Sequence, residues 1–153
     1  MKFLHLTNHN DDLKGTEAVE AAFARIDGLW RYNGVFFIEK QLSHHQALSA
    51  IKQCDVLIEN LVRGYYGLTA VEAMAMGKAV ICKIQQPPFL YAETGTIEDV
   101  IRFSILHPFN IKAAAKQGPT YINKYHNAEK IANRMLRDYQ EGLNDQRQPQ
   151  TAY

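Results

Sequence analysis

One carboxylate interrupts an otherwise apolar helix. In GYYGLTAVEAMAMGKAVICKI, Gly64 to Ile84, Glu72 is the single acid between a glycine-bounded loop and the short strand that follows. A carboxylate one turn into a helix accepts two hydrogen bonds from a vicinal diol such as a ribose. Gly67 lets a ligand come close to the backbone at the helix start, where free N–H groups favour an anion. A second set of polar residues follows the first apolar segment: Asn8 and His9, then Lys14-Gly15-Thr16 at the start of another helix. A lysine beside unpaired backbone amides is a phosphate grip. Glu59 and Asn60 end a third apolar run that leads into Gly64-Tyr65-Tyr66-Gly67-Leu68. The combined arrangement is shaped for a nucleotide, although neither a GxGxxG fingerprint nor a Walker A loop is present.

These residues need a scaffold that brings them to one edge, and the chain supplies one. KFLHLT, GVFFIEK, DVLIEN and KAVICKI are short apolar runs of strand type. Between them lie helical segments. Ala18, Val19, Ala22, Phe23 and Ile26 share one helical face, and further helices are predicted over His45–Gln53 and Thr69–Met76. Strands apolar on both faces and separated by helices form a parallel sheet covered on both sides. The fold class expected is α/β, a Rossmann-like three-layer domain with about five parallel strands, ordered 3-2-1-4-5 or 2-1-3-4-5. Ligands of such sheets bind beyond the carboxyl ends of the strands, which is where the polar residues above fall.

After Ile84, a Pro-Pro pair precedes a short last strand at Phe89 to Ala92. Thr96 to Leu106 follows as a helix with Thr96 as N-cap. Asn110 to Lys124 reads as a helix broken by Gly118 and Pro119, and Ala128 to Glu141 as a final amphipathic helix. Residues 1–141 are therefore expected to form one domain, and the polar residues 142–153 a disordered tail.

Composition narrows the function. The 153 residues carry 17 lysines and arginines against 16 acids, so no general attraction to nucleic acid or anionic membrane exists. No apolar run approaches the ~20 residues that span a bilayer, and no signal peptide is indicated. Cys54 and Cys82 lie beside or within apolar runs and read as reduced core residues, which suits the cytoplasm. His44-His45 has no Cys, Asp or Glu at ligand spacing, so capping or solvent exposure is expected rather than a metal. Packing is the expectation for Tyr65, Tyr66, His126, Met74 and Met76, and a surface position for Glu93.

GYYGLTAVEAMAMGKAVI resembles the donor-binding signature of the retaining GT-B glycosyltransferases of family 4 (glycosyl transferases group 1). LKGTEAVEAAF, ALSAIKQCDVLIEN and KQGPTYINKYHNAEKIANRML resemble flanking parts of the same C-terminal domain, from about Lys2 to Tyr139. The resemblance implies that Glu72 binds the ribose hydroxyls of a nucleotide-sugar, that Lys14 binds the diphosphate, and that the amides around Gly67, Leu68 and Thr69 hold phosphate or sugar. His9 stands where the family usually has a second, arginine grip on the diphosphate. Asn60 and Tyr66 complete the implied donor-binding set. No resident cofactor or metal is implied, because the nucleoside-diphosphate sugar is the substrate.

Two departures accompany the resemblance. The family has a glutamate eight positions before the one matched by Glu72, and here that position is Gly64. The family also has an N-terminal half that carries the acceptor site, so a separate acceptor-binding domain or a homo-oligomer is an expected partner and the catalytic residues are unassigned. The function implied is the donor-binding half of a hexosyltransferase that is retaining and metal-independent. The alternative is a stand-alone nucleotide-binding or protein-interaction module. A receiver-type phosphoacceptor domain shares the layout, but it needs an aspartate at a strand end and Asp55 begins its strand.

Overall fold

A computed structural model describes residues 1–7, 14–27 and 34–145. Strand β1 (Lys2–Thr7) leads through helix α1 (Thr16–Asp27) to β2 (Val35–Lys40), and α2 (His44–Gln53) leads to β3 (Val56–Ile58). Helix α3 (Leu68–Ala75) and β4 (Ala79–Cys82) follow, then β5 (Leu90–Tyr91), α4 (Ile97–Leu106), α5 (Pro108–Tyr125) and α6 (Ala128–Asp145). The five strands form one parallel sheet in the order β2-β1-β3-β4-β5, the second of the two orders expected. Strand order reverses between β1 and β3, and that places the ligand-binding crevice of such a sheet beside the carboxyl ends of these two strands.

The apolar strands are buried because helices cover both faces. On one side Phe3, Val56, Ile58 and Ile81 pack with Val19, Phe23 and Ile26 of α1 and Ile97 and Ile101 of α4. On the other, Leu4, Leu6, Leu57 and Val80 pack with Ile51 of α2 and Ala70, Ala73 and Met74 of α3. The edge strand β2 departs from this pattern: Val35 and Phe37 are exposed, and among the described residues no strand lies beyond β2.

Several boundaries differ from the sequence reading for identifiable reasons. Helix α2 begins at His44 because Ser43 caps it, in a reciprocal capping box with Gln46. Thr96 occupies the N-cap position of α4 but gives the helix no side-chain bond; its hydroxyl turns back to the Glu93 backbone instead. The expected break at Gly118 and Pro119 does not occur, and α5 runs unbroken from Pro108 to Tyr125. Gly118 serves an interhelical contact: a Cβ there would lie 2.7 Å from the Met74 carbonyl oxygen of α3. The last helix also continues past Glu141 to Asp145, so the first residues assigned to the tail are helical. Among the described residues no helix is long and apolar enough to cross a membrane.

Candidate nucleotide-binding crevice

The carboxyl ends of β1 and β2 and the starts of α2 and α3 enclose a cavity of about 240 Å³, lined by Thr7, Lys14, Glu39, His44, Thr69 and Glu72 among others. Three of the residues expected to bind donor, Lys14, Thr69 and Glu72, thus meet in one crevice, and Leu68 lines it as well. His9 lies outside the described residues, as does Asn8.

Helix α3 opens on Gly67, whose lack of a side chain leaves the helix start without a side-chain cap. The first-turn amides and the positive end of the helix dipole therefore face the crevice uncapped by any side chain. Gly67 also permits a close approach: a Cβ there would lie 3.3 Å from Glu59 Oε1. Glu59 is only 4% exposed. Its Oε2 accepts the Asn60 N–H at 2.7 Å and its Oε1 lies 3.3 Å from Lys14 Nζ, so a buried charge is both paired and hydrogen-bonded. Lys14 completes its coordination by donating to the Leu6 carbonyl at 2.8 Å.

Glu72 points from α3 toward α2, where the Nε2 of His44 lies 2.7 Å from its Oε1. Sequence reasoning missed this partner. The Ser43–Gln46 capping box makes His44 the first residue of α2, but it carries no sign of Glu72, 28 positions away. Glu39, at the end of β2, is a second lining residue that was not singled out.

Neither Asn60 nor Tyr66 lines this cavity. The Oδ1 of Asn60 accepts the N–H groups of Val62 and Arg63 at 3.1 and 2.8 Å, which shapes the loop after β3. Tyr66 stacks near Phe89, ring centroids 4.7 Å apart, and its hydroxyl bonds Tyr121 Oη at 3.0 Å and His126 Nε2 at 2.9 Å. Tyr66 and His126 therefore tie the loop before α3 to the C-terminal helices. Asp55 sits at the amino end of β3, where it accepts the Lys2 N–H at 2.7 Å. That is the wrong end of the sheet for a receiver-type phosphoacceptor. Among the described residues no three His, Cys, Asp or Glu side chains gather to hold a metal.

The sheet order and the two helical layers that cover it define a Rossmann-like α/β domain. Solved structures agree on the fold. The C-terminal domain of LpcC, a glycosyl transferase group 1 family protein from Francisella tularensis, superposes with a TM-score of 0.66 over 83% of this chain and 87% of that domain, at 15% identity. A mutant of S. aureus TarM, in complex with fondaparinux, α-GlcNAc-glycerol and UDP, gives 0.63 at 13% identity. A second TarM structure gives 0.55 at 16%. The chain spans 34% of the TarM chain in each case. No family model matches the sequence, and no curated protein does.

Proposed function

We propose that this chain is the donor-binding half of a glycosyltransferase and holds a nucleoside-diphosphate sugar in the crevice between α2 and α3. The observation that supports this most is that Glu72 and Lys14 line one cavity together with Leu68 and Thr69 at the uncapped start of α3. A carboxylate for a diol, and a lysine with helix-start amides for a diphosphate, are complementary to the two ends of such a ligand. Of the neighbours, a TarM structure contains UDP, a ligand of this class.

The reaction proposed is glycosyl transfer to an acceptor, with retention of configuration and without a metal, as the family resemblance implies. Transition-state stabilisation in such a transfer draws on both walls of a closed cleft. In this reading a second domain or chain supplies the facing wall and the acceptor site. The buried, free Cys54 and Cys82 support a reducing compartment, and the cytoplasm is the location proposed.

Titration calorimetry with UDP, GDP and ADP tests the donor site. Saturable binding of one nucleotide, abolished in Glu72→Ala with folding retained, is the expected result. Failure of all three to bind would overturn the reading.

A further inference from the structure

Two acids line the crevice, and only one of them is held by the protein. Glu72 is engaged by His44, whereas Glu39 has no hydrogen-bond or ion-pair partner among the described residues. The strand register sets Glu39 beside Leu6 of β1, so its side chain rises on the face of the sheet that α2 and α3 cover. It is half-buried there. A partly desolvated carboxylate without a partner gains from any donor that a ligand brings to it.

The role of Glu39 rests on the nucleotide reading of the crevice, in which Lys14 and the α3 amides take the phosphates and Glu72 the ribose. Strand order then decides what is left. Lys14 donates to the Leu6 carbonyl of β1 and pairs with Glu59, just after β3, while Glu39 belongs to β2 on the other side of β1. β2 and β3 are two strand spacings apart, roughly 10 Å. A nucleoside anchored by its phosphates near β3 therefore runs toward β2 and brings its base to Glu39. Leu6, Leu42 and Ala47 of the same cavity are apolar and suit the faces of a planar ring.

The chemistry of a carboxylate selects among the bases, because it only accepts hydrogen bonds. Guanine sets two donors side by side, N1–H and the exocyclic N2–H, and one carboxylate takes both. Uracil offers a single N3–H flanked by two carbonyl oxygens, which turn partial negative charge toward the carboxylate. Adenine sets its N6–H beside the lone pair of N1. We propose that Glu39 recognises the base of the donor and selects guanine, so that the crevice takes a GDP-sugar.

Titration calorimetry of the full chain with GDP, IDP, UDP and ADP tests the assignment. IDP keeps the N1–H and lacks the exocyclic amine. GDP should bind roughly 10- to 100-fold more tightly than UDP or ADP, with IDP between them. Glu39→Gln, which turns an N–H toward the guanine donors, should lose most of that preference by weakening GDP while leaving UDP unchanged, with the thermal unfolding midpoint retained. UDP or ADP binding as tightly as GDP, or a GDP preference that survives in Glu39→Gln, overturns the role of Glu39 and leaves the crevice a nucleotide site. Failure of all four to bind overturns both.

Discussion

The imidazole of His44 holds the carboxylate of Glu72 from a neighbouring helix, Nε2 to Oε1 at 2.7 Å, although 28 positions separate the two residues. His44 is well exposed and Glu72 is largely covered, with side-chain exposures of 69% and 19%. The contact therefore fixes a partly buried carboxylate from its solvent side and engages one of its two oxygens. Of the two Glu72 oxygens only Oε1 has a hydrogen-bond partner among the described residues, so Oε2 is the oxygen that would receive a ligand hydroxyl in the proposed site.

If Glu72 binds a nucleotide as proposed, that geometry makes His44 a positioning residue for it. His44→Ala should weaken the affinity of whichever nucleotide binds by roughly 5-fold, the equivalent of about 1 kcal/mol for one hydrogen bond. His44→Gln, which keeps an N–H donor, should recover part of the loss. Calorimetric Kd values for the two variants check this, and equal affinity of His44→Ala and wild type would refute it.

Lys14 offers a separation of structure from function. Its ammonium neutralises Glu59, which is buried at the end of β3. Removing one partner of a buried pair strands the other charge, so Lys14→Ala should lose stability on the order of 2–3 kcal/mol. The double variant Lys14→Ala/Glu59→Gln removes the stranded charge and should regain most of that stability, as urea unfolding would measure. If Lys14 also grips the diphosphate, nucleotide affinity stays low in the double variant. Recovery of affinity together with stability would assign Lys14 a structural role alone.

The contrast between Glu72 and Lys14 shows what was legible in the sequence. Local periodicity and the polar residues after each strand locate the sheet, its crevice and Glu72, because these depend on neighbours in sequence. The partners of those residues depend on contacts between distant segments. His44 reaches Glu72 across two elements, and Glu59 meets Lys14 across β1 and β3, so neither pair has a local signature. Gly118 is the plainest case. A glycine followed by proline reads locally as a helix break, yet the helix continues and the glycine answers to Met74 in another helix.

Gly118→Ala tests that account directly. Within a helix the substitution gains about 1 kcal/mol of propensity, but the new Cβ would stand 2.7 Å from the Met74 carbonyl oxygen and 3.1 Å from its Cα. Backbone atoms cannot yield as a side chain does, and overpacking of this kind costs about 1–3 kcal/mol. The expected outcome is net destabilisation and a lower melting temperature. A higher one would mean that α3 and α5 separate freely and that Gly118 has no packing role.

Glu98 predicts a pH dependence. Its carboxylate accepts hydrogen bonds from Arg102, one turn along α4, and from Arg25 of α1. These bonds, Arg102 first and Arg25 second, hold its pKa below the ordinary value of 4.5. A carboxyl group with a depressed folded pKa contributes stability that is present above its unfolded pKa and is lost as the pH falls through the folded one. Glu98→Gln should therefore be less stable than wild type at neutral pH. As the pH falls below the ordinary glutamate range the two should converge, since the protonated wild-type side chain no longer attracts the guanidinium groups. Urea midpoints of both proteins across that range measure the difference; a gap that persists unchanged into acid would show that the lost packing between α1 and α4, and not the charge, is responsible.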